Sequence, residues 1–178
     1  MQNKNVKELT NILPVVYINS VENIAVVSNK HIFFALKVLK LHINYQYNLL
    51  SSISGVDFLG KTYRFGIVYD LLSLTYNTRI RIKCFVNEIT PVSSIIELFK
   101  NSNWWEREIW DLFGVYFDKH PDLRRILTDY GFEGYPMRKD FPSYGFVELR
   151  YDESKKRIVV DSVDLAQEFR SFTFQTPW

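Results

Sequence analysis

The chain of 178 residues has one cysteine, Cys84, and three histidines, His31, His42 and His120. A lone thiol forms no internal disulfide and cannot supply the four thiolates of an iron–sulfur cluster. The histidines are scattered and have no Asp/Glu-x-His companions, so zinc-type ligand spacing is missing as well. Glycine is scarce, with seven in all. None of them builds a G-x-G-x-x-G or Walker-type loop, and with that the fingerprint for NADH, flavin or nucleotide binding is absent. No apolar run approaches the roughly 18 residues that a membrane-spanning helix needs. The best one, Ile32 to Leu41, is interrupted by Lys37 and Lys40. A net charge of +2 is too small to imply a nucleic-acid ligand by itself. The first residues contain no signal-peptide core, and their lysines beside Glu8 do not make an Arg-rich, acid-poor transit peptide. The expectation is synthesis where the protein works, or targeting that the sequence does not display.

What is present is enough apolar and aromatic material, 47% and 16%, to bury a core. The length suits one compact domain plus an extension. The pattern predicts a short helix over 6–13 that ends at Pro14, strands over 15–18 and 24–27, and a helix over 32–43 with Ile32, Phe33, Leu36, Leu39 and Ile43 inward. Three more strands are expected over 49–53, 63–74 and 79–85. In the last of these Arg79, Arg81 and Lys83 alternate with Ile80, Ile82 and Cys84, so that one face is basic and the other buried. Thr75–Thr78 is the expected hairpin loop. Thr90-Pro91 reads as a helix start leading through Ile95, Ile96, Leu98 and Phe99. Strands flanked by segregated helices imply an α+β domain of two layers, a mixed sheet with helices on one face.

From Trp104 to Gly145 the chain is dense in charged, aromatic and turn residues. It opens as a helix, with Asn103 and Glu106 in the positions of a capping box and Gly114 at a left-handed C-terminal cap. Trp105, Ile109, Leu112 and Phe113 share one face, and Arg107 and Asp111 are spaced to pair. Beyond Gly114 periodicity stops, and residues 115–178 hold four of the six prolines. The domain is therefore expected over 1–114. Residues 115–178 are expected to form an extended, irregular arm that covers its aromatics on a partner protein, with a terminal ribbon over 146–151 and 157–163.

Three chemical readings of this stretch compete with a structural one. Glu106, Glu108 and Asp111 have the composition of an acid–base constellation. Arg107 neutralises them, however, and nothing supplies a substrate pocket. His120 between turn residues reads as a hydrogen-bonded structural group rather than a base or ligand. Arg124-Arg125 and Arg138-Lys139 among Tyr and Phe, with the basic strand at Arg79, Arg81 and Lys83, have the ingredients of a single-strand RNA binder. Asp122, Asp129, Glu133 and Asp140 lie among them and favour salt bridging. Trp104, Trp105 and Trp110 read as core or interface anchors.

The spacing Glu106-Arg107-Glu108-x-x-Asp111-x-x-Gly114-x-x-Phe117-x-x-His120-Pro121-Asp122-Leu123-x-Arg125-Ile126, followed by Arg138-Lys139-Asp140-Phe141, resembles the signature of the 30-kilodalton subunit of respiratory complex I. Leu127–Gly134 resembles the mitochondrial branch of that family. The likeness extends to Gly55-Val56-Asp57, Asn77–Arg81, Val147–Asp152, Gln167–Arg170 and Pro177-Trp178, and covers the chain from about residue 30. Two positions depart from the family pattern: Tyr135 stands where His is common and Met137 where Leu is common. The resemblance implies a core subunit of the proton-pumping NADH:ubiquinone oxidoreductase, on the matrix side of the mitochondrial inner membrane. It also implies a place in the quinone-reducing module beside the 49-kilodalton subunit and its iron–sulfur neighbours. The complex uses NADH, FMN, iron–sulfur clusters and ubiquinone; none of these is expected on this chain, which would be inactive alone. The signature segment, from Glu106 to Phe141, is expected to be a polar and aromatic clamp whose charged groups are desolvated against neighbouring subunits, rather than a set of catalytic groups.

Overall fold

The computed structural model describes residues 15–19, 22–165, 167–168, 170–176 and 178; the helix expected over 6–13 lies outside them. A five-stranded sheet carries strands β1 (Val15–Asn19), β2 (Ile24–Val27), β3 (Leu49–Asp57), β4 (Phe65–Ser73) and β5 (Thr78–Val86) in the order β1-β2-β5-β4-β3. The sheet is mixed: β2 runs parallel to β5, and the other neighbours are antiparallel. The crossover from β2 to the far edge at β3 uses helix α1 (Ile32–Leu41).

The alternation read in the sequence decides which face is buried. Ile80, Ile82, Cys84 and Val86 of β5 stand beside Leu71, Tyr69, Ile67 and Phe65 of β4 in register, all buried. Arg79, Arg81 and Lys83 point to the other face. Onto the buried face pack Ile32, Ala35, Leu36 and Leu39 of α1 and Ile109 and Phe113 of helix α2 (Ser102–Phe113). The architecture is thus α+β in two layers. Phe113 lies so close to Gly55 of β3 that a Cβ there would sit 2.7 Å from its ring.

Three local expectations fail, each because a longer-range contact wins. Ile43 is 71% exposed, since α1 stops at Leu41 and the chain turns out through Ile43–Tyr45. No helix starts at Thr90-Pro91. There β6 (Val92–Ser93) instead pairs in parallel with β7 (Phe117–Asp118), and the Ile95 amide is taken by Glu106. Asn103 is not the cap of α2, which begins two residues earlier than expected, at Ser102 after Asn101, with no side-chain cap bond.

The chain divides into two compact units, 1–139 and 140–178. The division falls well beyond the boundary expected at Gly114. The reason is visible in the first unit, where Val115 and Phe117 are buried in the core cluster and Leu123 packs against it. The second unit contains the antiparallel ribbon β8 (Val147–Asp152) and β9 (Arg157–Ser162), joined by a turn with Lys156 at φ 50°.

Candidate functional site

Helix α2 and the irregular chain that follows it are tied together by carboxylates. Asp111 is fully buried, and its Oδ2 accepts hydrogen bonds from three successive amides, Ile126 (3.1 Å), Leu127 (2.7 Å) and Thr128 (3.0 Å). Its Oδ1 takes the Thr128 hydroxyl at 2.6 Å and lies 3.5 Å from Arg125 Nη1. Burial pushes the Asp111 carboxyl up, but these bonds outweigh it and hold it below the usual carboxylate range. One side chain thereby supplies acceptors that a strand neighbour would otherwise provide.

Glu106 does the same on another side of the helix. It is fully buried, with Oε2 accepting from the Ser94 hydroxyl at 2.6 Å and Oε1 from the Ile95 amide at 2.8 Å. Here burial dominates and raises its pKa, with the two bonds only partly offsetting it. His120 has its side chain buried beside it, Nε2 to Oε2 being 3.9 Å. The Asp122 amide donates to Nδ1, so the ring proton sits on Nε2 and is given to the Asn103 carbonyl at 3.2 Å. Burial lowers the His120 pKa, which keeps the ring neutral.

A third node joins the end of the segment to the sheet. Buried Asp57 receives Arg64 in a fork, Nε at 2.8 Å and Nη2 at 3.0 Å, and the Lys139 amide at 2.9 Å. The Arg64 bond, aided by the Lys139 amide, holds this carboxyl low against the opposing effect of burial. Arg138 donates Nε to the Phe113 carbonyl at 2.7 Å, approaches Glu88 at 3.5 Å, and lies over the rings of Tyr135 and Phe65. Gly114 closes α2 at φ +76°, with its amide on the Trp110 carbonyl. A Cβ there would meet the Tyr135 ring at 2.6 Å, so both backbone and space require glycine.

The sequence-picked residues therefore separate. Glu106, Asp111, Gly114, Phe117, His120, Arg125 and Arg138 are internal braces. Asp122 is exposed and pairs with Arg124 at 2.9 Å. Pro121 is exposed, Glu108 and Leu123 are half-buried, and Lys139 acts through its backbone. Asp140 and Phe141 belong to the second unit, where Phe141 packs edge-on against Phe146. Arg107 does not pair with Asp111; its Nε donates to the Arg124 carbonyl at 3.2 Å. The acid–base reading fails on the same geometry, because Glu106 and Asp111 are both buried and turned to different segments. The RNA reading is weakened by Asp70, which forks onto Arg81 at 2.7 and 3.2 Å. The three tryptophans form no single platform: Trp104 is exposed, Trp105 packs on the core, and Trp110 sits edge-on to Tyr116 and Tyr135.

Asp57, Arg64, Glu88, Ser94 and Thr128 complete the braces and are not among the site residues expected from the sequence. Asp57 lies beyond the strand expected over 49–53 and is marked only by the resemblance at Gly55-Val56-Asp57; the structure extends the strand to it and buries it.

Residues 25–147 match the family model described as the respiratory-chain NADH dehydrogenase, 30 Kd subunit. The chain belongs to that family. It is 62% identical over 143 residues to NADH-ubiquinone oxidoreductase subunit 9 of Reclinomonas americana, covering 80% of this chain and 70% of that protein. It is 53% identical over 148 residues to NADH dehydrogenase [ubiquinone] iron-sulfur protein 3 of Arabidopsis thaliana, covering 83% and 78%. A chain of the membrane-bound sulfane sulfur reductase, an archaeal respiratory membrane complex, shares the fold with a TM-score of 0.62 at 23% identity, over 88% of this chain and 96% of that one.

The words iron-sulfur in the name of the plant member raise the question of a cluster. The donors of this member of the family do not fit one. Its single cysteine is buried on the inner face of β5, where burial pushes the thiol up to about 12. Among the described residues no three His, Cys, Asp or Glu side chains gather as a metal site. Among them, too, no helix is long and apolar enough to cross a membrane.

Proposed function

We propose that this chain is a scaffold in the quinone-reducing module of the proton-pumping NADH:ubiquinone oxidoreductase, and holds no redox centre itself. The observation that carries this reading is the family match over 25–147, which spans the braced segment from Glu106 to Lys139. Its neighbours are the 49-kilodalton subunit and the iron–sulfur subunits of the module, on the matrix side of the mitochondrial inner membrane. NADH, FMN, clusters and ubiquinone are handled by other subunits of the complex.

The braces suit such a role. Carboxylates satisfied inside the chain fix an irregular surface without help from a partner, so the surface presented for docking is preformed. Around it Tyr116, Leu127, Tyr130 and Met137 are exposed. The apolar side chains Val147, Leu149, Tyr151, Ile158 and Val160 of the β8–β9 ribbon are exposed too. Isolated two-stranded ribbons are marginal in water, and covering this one by a partner stabilises it.

The test is a native gel of detergent-solubilised membranes from the source, stained for NADH oxidation, with mass spectrometry to locate the chain. Co-migration with the large NADH-oxidising band is the expected result. A chain found free, or in RNA-containing fractions, overturns the reading.

A further inference from the structure

Every buried charge of the signature segment has a countercharge or several hydrogen bonds, with one exception. Glu106 has two donors, Asp111 has four and lies beside Arg125, and Asp57 has Arg64. Arg107 is only 8% exposed, yet its guanidinium makes one hydrogen bond, to the Arg124 carbonyl. Among the described residues no carboxylate lies within ion-pairing distance of it. Its neighbour on the helix, Asp111, is committed to residues 125–128, and Asp122 is committed to Arg124. The uncompensated charge is felt nearby, where it contributes to the lowered pKa of His120.

The guanidinium lies against the ring of Trp104, 5.0 Å from its centroid. Trp104 is itself 62% exposed, an unusual placement for the largest apolar side chain. A largely buried arginine whose remaining N–H groups still reach the surface, beside an exposed tryptophan, is the composition of an interface hot spot. The planar fork of arginine accepts a carboxylate in two parallel bonds, a geometry that lysine lacks.

We propose that Arg107, stacked on Trp104, is a receptor for one carboxylate side chain of a neighbouring subunit. The carboxylate completes the ion pair that the chain leaves open, and the same contact covers Trp104. The proposal rests on the reading of this chain as a subunit of the large complex. It goes beyond that reading by assigning one contact and the chemistry of the group that makes it.

Two measurements on the purified complex test it. In the first, the unmodified complex and the free full-length chain are footprinted with hydroxyl radicals, and oxidation of Trp104 is read by mass spectrometry. A several-fold lower oxidation in the complex is expected. In the second, the complex carrying Arg107→Lys is treated with a zero-length carbodiimide, which joins an amine only to a carboxylate in contact with it. A bond between the introduced amine and an Asp or Glu of another subunit is expected.

Trp104 oxidised equally in both states overturns the proposal, whether or not the variant complex assembles. So does an introduced amine that is unlinked, or linked only to carboxylates of its own chain, in an assembled complex. Either result with the chain present in the NADH-oxidising complex is a failure of this proposal alone. Absence of the chain from that complex removes both readings.

Discussion

Residues 115–139 have almost no regular secondary structure and yet are tied to a core, whereas β8 and β9 are regular along their length and leave an apolar face open. In the first stretch four amides, those of Ile126, Leu127, Thr128 and Lys139, are satisfied by the buried carboxylates of Asp111 and Asp57, so order there depends on a few buried acids rather than on a ladder. In the second the ladder is complete, with Leu149 opposite Val160 and Tyr151 opposite Ile158, but two strands cannot bury one another's side chains. Regular hydrogen bonding and burial are thus separate requirements, and this chain meets them in different places.

The largest effect is expected from removing the acid that orders the irregular stretch. Asp111→Ala strands three amides and a hydroxyl and removes the carboxylate beside Arg125, and is expected to cost about 3 to 5 kcal/mol. Urea unfolding of the full chain measures it. Amide exchange should show residues 126–128 opening while β4 and β5 keep their protection. Equal loss of protection in the sheet would mean that the segment and the sheet unfold as one unit. Gly114→Ala comes next. A left-handed alanine costs about 1 to 2 kcal/mol, and the displaced Tyr135 ring adds about 1 to 3 kcal/mol. A thermal scan of the variant reads the sum.

Acid should loosen the same stretch. Asp111 and Asp57 have folded pKa values below their unfolded ones, so their stabilisation is present above about pH 4 and is lost as pH falls through the folded values. Glu106, raised by burial, has the opposite sign: its contribution declines as pH rises from about 4.3 through its folded value. Urea midpoints measured from pH 6 downward should therefore converge between the native chain and Asp111→Asn. Parallel curves would show that Asp111 is not the group that titrates.

How much of this was legible in the sequence follows the same division. The strand at 24–27 and the alternation from Arg79 to Val86 were readable because period two is a local property, and the ribbon was found within a residue of its bounds. The braces were not. Asp111 meets amides 15 to 17 residues ahead, and Asp57 meets the Lys139 amide 82 residues on. No window of helix or strand length contains such a pair. The false helix at Thr90-Pro91 has the same origin, since its cap and proline were correct local signals overruled by Glu106 and by β7. The family resemblance, carried by those very acids, marked the positions without revealing that their partners lie inside the chain.

On the ribbon, Leu149→Ser and Val160→Ser remove exposed apolar groups. In the isolated chain each is expected to shift stability by no more than about 0.5 kcal/mol. In the source organism the amount of chain recovered in the large NADH-oxidising complex should fall, because the face is then harder to cover. Loss of stability in the isolated chain would show that the ribbon buries itself, and the contrast between the two stretches would collapse.

A similarly small effect is expected at the solvent face of the sheet. Arg81 forks onto Asp70, but the two side chains are 50% and 30% exposed, so water already solvates both partners. Arg81→Ala should cost roughly 0.2 to 1 kcal/mol. Salt should shrink that difference, because exposed charges are screened within about 10 Å at 0.1 M ionic strength. The deficit of Asp111→Ala should barely respond to salt, since its acceptors are buried and its partners are mostly neutral amides. Measuring both variants at low and high salt separates a carboxylate that orders the chain from one that decorates its surface. If both deficits shrink together, water reaches Asp111 and the stretch after α2 is held far more loosely than its hydrogen bonds imply.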